Sequence, residues 1–205
     1  MEIDLNGIKL KGDLSIPPHA TGVVLFAHGS GSSRLSPRNQ YVARVLQEGG
    51  IGTLLIDLLT LEEERIDEVT RELRFNIPLL AERLIGITDW LLKNKLKIGY
   101  FGASTGAAAA LVAAAHRPKQ VFAVVSRGGR PDLAREALAR VRAPTLLIVG
   151  GDDVGVIELN EIALEQLVCV KQLVLIPGAT HLFEEEGTLA QVARQALAWF
   201  IVHNA

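Results

Sequence analysis

Six short apolar runs alternate along the chain with stretches of helical periodicity. The runs are VVLFAH (23–28), TLLID (53–57), KIGYFGA (97–103), VFAVVS (121–126), TLLIVGG (145–151) and QLVLIP (172–177). They are apolar at consecutive positions, which is typical of parallel strands that are buried on both faces. Between them, apolar residues recur every three or four positions, as on one face of a helix. The pattern predicts an α/β fold with a mostly parallel central sheet and helices on both faces.

The first fifteen residues follow a different pattern. Residues 2–5 and 9–15 alternate between apolar and polar side chains, as strands do when only one face is buried. Asn6 and Gly7 stand between them, and this pair is a strong signal for a two-residue hairpin turn. The pattern predicts an antiparallel hairpin at the amino terminus, ahead of the parallel sheet.

Helix signals separate the apolar runs. Ser36 followed by Pro37 is typical of a helix start, and Gly49-Gly50 is typical of its end. Further helices are predicted over 80–91, after Ser104, from Pro131, over 155–167 and over 189–200. The charged stretch from Leu58 to Arg74 is predicted to be a solvated segment at the rim of the fold, with a flap over the functional site as the alternative.

Composition narrows the classes of protein to consider. The chain has 205 residues, 49% of them hydrophobic, and a formal net charge of −2, which fits one globular domain over residues 1–205. Basic and acidic residues are interspersed, so no nucleic-acid partner is expected. The sequence lacks an apolar stretch of membrane-spanning length and the features of a signal peptide, so no membrane partner is expected. A single cysteine fits a reducing compartment, and we expect a cytoplasmic protein.

The sequence KIGYFGASTG, residues 97–106, carries the strongest chemical signal. It contains G-x-S-x-G between an apolar run and an alanine-rich helical stretch. In a nucleophile elbow, a sharp strand-to-helix turn holds the serine exposed beside a base, and its neighbours must be small because two backbones nearly touch there. Gly102 and Gly106 meet this requirement, so Ser104 is predicted to be a catalytic nucleophile.

A serine nucleophile needs a base and an acid, and in this architecture the acid and then the histidine follow it along the chain. Four of the five histidines precede the serine, end its helix or lie in the terminal tail, which leaves His181 after the last apolar run. Asp152 and Asp153 follow the fifth run. Adjacent residues at a strand end point in different directions, so only one of the two can face His181. The other is expected to be a turn residue or a helix N-cap.

The tetrahedral intermediate of acyl transfer also needs backbone N–H donors for its oxyanion. The residue after the nucleophile, Thr105, is predicted to supply one donor. The second is expected from the loop AHGSGSSR (27–34), where Ser30 lies between two glycines that let the backbone approach a substrate. His28 in this loop is predicted to hold it by hydrogen bonds rather than to act as a second base.

Arg127 follows the fourth apolar run, at the sheet edge where ligands of open α/β sheets bind. Together with Arg130, it could pair with a carboxylate or phosphate of the substrate. The alternative is a structural ion pair between Arg127 and an acid of a neighbouring loop. Neither interpretation identifies the acyl group.

Four segments, FAHGSG, FGASTG, VGGDD and PGATHLF, lie at the ends of apolar runs. Together they resemble the α/β-hydrolase superfamily, and the small size without a cap insertion resembles its dienelactone hydrolase branch. The resemblance covers the chain from Gly22 onward and implies an α/β-hydrolase fold without a cap domain. In that branch the acid is the fourth residue of a G-x-x-D pattern, which falls on Asp153, and the histidine falls on His181. The namesake enzymes carry a cysteine where this chain has Ser104, so the dienelactone substrate is not carried over.

The resemblance implies a serine hydrolase that cleaves a carboxylic ester, lactone or thioester of a small molecule, with no cofactor and no metal ion. These substrates share one acyl-enzyme, so the residues do not separate them. Two other functions stay open: a non-catalytic small-molecule-binding protein on the same fold, and a dinucleotide-binding oxidoreductase. The latter rests on Gly29-Ser30-Gly31 and Asp57, but Arg34 stands where the fingerprint needs a small residue. The oligomeric state is left open.

Overall fold

The computed structural model describes residues 1–92 and 96–204, and the strands of these ranges form one eight-stranded sheet. The strands are β1 (Glu2–Leu5), β2 (Ile8–Ser15), β3 (Gly22–Ala27), β4 (Gly52–Ile56), β5 (Lys97–Ala103), β6 (Val121–Arg127), β7 (Thr145–Gly150) and β8 (Lys171–Ile176). Their order across the sheet is β1-β2-β4-β3-β5-β6-β7-β8. β2 pairs antiparallel with β1 and with β4, and the other neighbouring strands are parallel. The predicted mostly parallel sheet with an amino-terminal antiparallel hairpin is confirmed.

Helices cover both faces of this sheet, as predicted. They are α1 (Pro37–Glu48), α2 (Leu61–Thr70), α3 (Ile77–Leu91), α4 (Thr105–His116), α5 (Val154–Gln166) and α6 (Thr188–His203), with short 3-10 segments at Leu73–Phe75 and Pro131–Arg140. α1 and α6 contribute Leu46 and Phe200 to the core on one face. α3, α4 and α5 contribute Leu84, Leu111 and Ala163 to the core on the other. No helix in the described ranges is long and apolar enough to cross a bilayer.

The central strand β3 shows why the apolar runs are continuous. Val23 and Leu25 pack in the core beside α3 and α4, whereas Val24 and Phe26 pack in the core beside α1 and α6. All four side chains are buried. A strand with helices on both faces has no solvated side, so it needs apolar side chains at consecutive positions.

The carboxyl ends of the parallel strands bring the candidate site together. β3, β5, β6, β7 and β8 run in the same direction, so the loops that follow them meet at one edge of the sheet. After β3, Ser36 accepts a hydrogen bond from the Asn39 N–H and Pro37 takes the first helical position of α1, as predicted. After β6, only loops and the 3-10 segment Pro131–Arg140 precede β7, so no cap domain is inserted there.

The charged stretch from Leu58 to Arg74 is mostly solvent-exposed, as predicted, but it is helical and part of its charge is paired. It forms α2, whose first turn is closed by a reciprocal capping box. Asp67 on this helix is 4% exposed and accepts a 2.6 Å hydrogen bond from the Arg74 side chain, whereas the apolar Val69 is 85% exposed. The prediction of a solvated segment therefore holds for most of the stretch, and the buried pair of Asp67 and Arg74 is the exception.

Candidate active site

The turn between β5 and α4 places Ser104 in a strained backbone conformation. Ser104 has φ 50° and ψ −121°, a combination that a residue with a side chain rarely adopts. A Cβ on Gly106 would overlap the carbonyl oxygens of Ala27 and His28, and one on Gly102 would overlap the backbone of α4. Both glycines are therefore required by the close approach of β3, β5 and α4, as the motif predicts.

Backbone hydrogen bonds hold this turn in place. The Ser104 N–H donates to the Arg127 carbonyl at 3.3 Å, and the Ser104 carbonyl accepts from the N–H groups of Ala107 and Arg130, both at 3.1 Å. Strained conformations persist only where the surrounding structure over-determines them. The elbow is therefore anchored to the end of β6 and to the first turn of α4.

The structure brings Asp153 and His181 together. Nδ1 of His181 lies 2.7 Å from Oδ2 of Asp153, and the two residues follow β7 and β8, the neighbouring strands at the sheet edge. Asp153 occupies the N-cap position of α5, but its side chain makes no capping bond because it faces the histidine. Asp152 lies in the preceding turn, where its N–H donates to the Ala179 carbonyl. Of the two adjacent aspartates, Asp153 is the one in contact with His181.

His181 also lies beside the elbow. A Cβ placed on Gly128 would be 3.6 Å from Cε1 of His181 and 3.1 Å from its carbonyl oxygen. Gly128 directly follows Arg127, whose register partner on β5 is Ala103, the residue before Ser104. Among the described residues, no hydrogen bond joins the Ser104 hydroxyl to His181. Catalytic hydrogen bonds are often long without substrate, so Ser104, His181 and Asp153 remain a predicted triad.

His28 holds the loop that contains Ser30. Its Nε2 accepts a 3.1 Å hydrogen bond from the Leu58 N–H, so Nδ1 carries the proton and donates to the Gly29 carbonyl at 2.9 Å. Burial lowers the pKa of His28 and keeps the ring neutral. A Cβ on Gly29 would lie 3.1 Å from the Ser104 Cβ, so this loop lies directly against the predicted nucleophile.

A cavity of about 490 Å³, which we name the Ser30 cavity, opens beside this loop. Ser30 and Thr105, the two predicted oxyanion donors, both line it, although Ser104 itself does not. Its outer wall comes from the helix α2 and the turn after it, through Glu64, Asp67, Glu68 and Arg74. Sequence reasoning missed these four residues. Their helix could have been found from Thr60 and Glu63, a T-x-x-E capping-box signal.

Arg127 lies on the α1 side of the sheet and is 7% exposed. Its closest polar contact runs from Nη2 to Oδ1 of Asn39 at 3.4 Å, and its guanidinium stands 6.0 Å from the Phe183 ring centre. Burial, together with the charge of Arg38, lowers the pKa of Arg127 to about 10. No acid among the described residues pairs with Arg127, so the expectation of an ion pair is wrong. Its role as a substrate-binding residue stays a prediction, and it does not line the Ser30 cavity.

The other arginines near the site are already paired. Arg130 donates to both carboxylate oxygens of Asp132, at 2.9 and 2.8 Å. Arg34 bonds Asp57 through both its N–H and its guanidinium, at 2.7 and 2.6 Å. Each of these two guanidinium groups therefore already has a carboxylate partner. Within the same described ranges, no three His, Cys, Asp or Glu side chains are grouped in a way that could hold a metal ion.

Comparisons with known proteins place these features in a family. No family model matches the chain. Its fold superimposes on the crystal structure of a dienelactone hydrolase from Anabaena variabilis with a TM-score of 0.97 and 65% sequence identity, over 99% of this chain and 96% of that one. The esterase Est1E from Butyrivibrio proteoclasticus, solved with ferulic acid, matches with a TM-score of 0.83 and 20% identity, over 99% of this chain and 98% of that one, which shows a shared fold.

Two Mycobacterium tuberculosis proteins, from strains CDC 1551 and H37Rv, are provisionally named phosphoribosyl transferases and are 58% identical to this chain over 200 residues. The match covers 96% of this chain but 44% of each relative, so the chain spans less than half the length of these curated relatives. The Anabaena structure, by contrast, is matched over nearly its whole length at high identity. On that evidence the chain belongs to the dienelactone hydrolase branch of the α/β-hydrolase family.

Proposed function

We propose that this protein is a serine hydrolase that cleaves an ester, lactone or thioester of a small carboxylic acid through an acyl-enzyme on Ser104. Hydrolase activity in general follows from the family, and the finer assignment is our proposal. The observation that carries it is the strained Ser104 turn, which lies beside the hydrogen-bonded pair of Asp153 and His181. Storing strain at one partly exposed serine next to an oriented imidazole serves nucleophilic catalysis.

In the proposed reaction, Nε2 of His181 takes the proton of the Ser104 hydroxyl as the oxygen attacks the substrate carbonyl carbon. Asp153 accepts the Nδ1 proton in its 2.7 Å hydrogen bond, which orients the ring and stabilises the imidazolium that forms. The tetrahedral intermediate collapses when the carbon–oxygen or carbon–sulfur bond breaks, and His181 returns the proton to the leaving group. Water then attacks the acyl-enzyme by the same route, which releases the acid and free Ser104.

The oxyanion of that intermediate needs two N–H donors. Thr105 is the first residue of α4, so its N–H has no partner within the helix and the helix dipole adds to its positive potential. Ser30 belongs to the loop that His28 and Gly29 hold against Ser104. Removing one such donor typically costs about 100- to 1,000-fold in turnover.

A dinucleotide-binding oxidoreductase is less well supported. That function would need Asp57 to bind a ribose hydroxyl, but both of its carboxylate oxygens already accept hydrogen bonds from Arg34. A non-catalytic binding protein would not need the strained backbone at Ser104, so the strain favours a catalytic role. The phosphoribosyl transferase name belongs to proteins more than twice as long as the matched region, and we do not extend it to this chain.

The test is covalent labelling with a fluorophosphonate, followed by hydrolysis of a panel of neutral p-nitrophenyl esters. Ser104→Ala should lose labelling and lose roughly 10⁴- to 10⁶-fold in turnover while it stays folded, because the nucleophile acts as a unit with its base. Ser126→Ala is the matched control, since this buried serine on β6 has no hydrogen-bond partner within the described ranges and should keep full labelling. An active, folded Ser104→Ala protein would refute the proposal.

The two adjacent aspartates sharpen the same test. Asp153→Asn should reduce turnover by roughly 10⁴-fold, because the amide no longer holds the correct imidazole tautomer. Asp152→Asn should change turnover far less, since its carboxylate does not contact His181. The measurement is kcat for one p-nitrophenyl ester, with circular dichroism to verify folding. A larger loss in Asp152→Asn would show that Asp152, and not Asp153, orients the histidine.

A further inference from the structure

The wall of the Ser30 cavity carries two carboxylates without a cationic partner. Glu64 and Glu68 lie on α2 and line the cavity, and neither forms an ion pair among the described residues. The other two charged lining residues neutralise each other, because Arg74 Nε lies 2.6 Å from Asp67 Oδ2. The cavity next to the predicted oxyanion donors therefore has a negative wall.

The surroundings of Glu64 do not compensate its charge. Partial burial raises the pKa of Glu64, and the negative charges of Asp57 and Glu68 act in the same direction. Lys11 and Arg34 act in the opposite direction, but Arg34 is itself bound to Asp57 at 2.6 Å and to Asp13 at 3.2 Å. The Glu64 carboxylate therefore stays without an ion-pair partner among the described residues, and a positive group of a ligand could pair with it.

A second observation points to a ligand in the same cavity. Thr105 lines it, is 3% exposed, and its side-chain hydroxyl has no hydrogen-bond partner among the described residues. A buried hydroxyl without a partner is costly, and a catalytic role or a bound group at the site are among the explanations for one. The polar wall of the cavity thus extends from α2 to the residue that follows the predicted nucleophile.

Among the described residues that line the cavity, no unpaired positive side chain faces this wall. The buried Arg127 lies on the α1 side of the sheet, and Arg130 is held by Asp132. Arg74 is the single arginine or lysine among the lining residues of the described ranges, and it is paired. A negatively charged substrate group in the Ser30 cavity would meet repulsion, whereas a positive group would find two carboxylates.

We propose that the Ser30 cavity binds a cationic group of the substrate, so that the preferred substrates are esters that carry an ammonium group. The proposal rests on the proposed function, since it assigns the substrate class of the same site. Charges at a protein surface a few ångströms apart interact strongly enough to change affinity by roughly 5- to 50-fold. Glu64 and Glu68 are the specificity-determining residues in this assignment.

The experiment compares three acetate esters of similar size: acetylcholine, its uncharged carbon isostere 3,3-dimethylbutyl acetate, and the anionic 4-acetoxybutanoate. We expect kcat/KM to fall in that order, with acetylcholine preferred over the isostere by roughly 5- to 50-fold. Glu64→Gln with Glu68→Gln should bring that ratio close to one, because kcat/KM should fall more for acetylcholine than for the neutral ester. Glu62→Gln on the same helix is the matched control, because Glu62 does not line the cavity.

Calorimetric binding of acetylcholine and of its isostere to Ser104→Ala separates this proposal from the proposed function. If no ester is hydrolysed, the hydrolase assignment fails, and tighter binding of acetylcholine would still support the cationic site. A wild-type ratio near one, or a ratio that the double variant does not change, would overturn the proposal. A preference for the anionic ester that Arg127→Met abolishes would also overturn it and would assign Arg127 as the specificity residue.

Discussion

Helices α4 and α2 both border the Ser30 cavity, but they show opposite patterns of burial. α4 turns alanines toward the protein, and Ala107 to Ala110 are completely buried. α2 turns charged groups inward: Asp67 binds Arg74, and Glu63 binds Arg83 at 2.6 Å. Its apolar side chains, including Ile66 and Val69, remain exposed. One helix is therefore held by close packing and the other by ion pairs around a cavity.

The difference follows from what each helix must do. α4 carries the elbow, where backbones approach so closely that only small side chains fit, and such packing tolerates almost no change in volume. α2 forms the wall of the Ser30 cavity, so its inward side chains border open space rather than a packed core. Its stabilising contacts are polar and individually weaker. We expect the elbow to respond to changes in size and α2 to changes in charge.

The largest effect is expected for Gly106→Ala at the elbow. The added Cβ would overlap the carbonyl oxygens of Ala27 and His28, so two strand-end loops would have to shift. We expect the free energy of unfolding to fall by roughly 3 kcal/mol or more, measured by urea denaturation. Gly155→Ala on α5 is the control, since a Cβ there meets nothing within 4 Å. Equal stability of the two variants would contradict the packing argument.

A smaller effect is expected when the buried ion pair of α2 is broken. Asp67→Asn removes the charge opposite Arg74, whose side chain is 22% exposed, and should lower the free energy of unfolding by about 1 to 3 kcal/mol. The exposed pair of Asp89 and Arg117 provides the comparison. Asp89→Asn should cost less than about 1 kcal/mol, because solvent screens that pair. If both variants lose the same amount in urea denaturation, burial does not distinguish the pairs.

The smallest effect concerns His28, which links the two regions by bonding Gly29 beside the elbow and Leu58 ahead of α2. Burial lowers its pKa below the ordinary 6.5, so the unfolded chain binds more protons on acidification than the folded protein does. Stability should therefore fall as the pH decreases below about 6.5.

Thermal melting between pH 8 and pH 5 measures this dependence. His28→Gln should be less stable at pH 8 but should lose less on acidification than the wild type. His203→Gln removes the other histidine whose pKa burial lowers, and serves as the control because that ring is more exposed. Unchanged pH dependence in His28→Gln would show that another group titrates.

The sequence correctly predicted the turn at Ser104 and the strands around it, because the residues that specify them are close together in the chain. Gly102 and Gly106 flank Ser104 within five residues, and the steric requirement of the turn acts over the same span. The apolar runs predicted both the strands and their parallel arrangement, since a strand buried on two faces needs apolar residues at consecutive positions. The ion pair of Arg127 was predicted wrongly, because it depends on which distant side chains come close.

The sequence by itself therefore determined the sheet, the helices on its two faces and the strained turn at Ser104. The family resemblance already implied Asp153 rather than Asp152 as the acid, and the structure places it in contact with His181. Only the tertiary structure decided that α2 closes a cavity with Glu64 and Glu68 in its wall. Backbone conformation and burial periodicity depend on neighbours in the chain, so they can be read along it. Charge pairing and cavity shape depend on groups many residues apart, and they exist only once the loops at the carboxyl edge of the sheet have met.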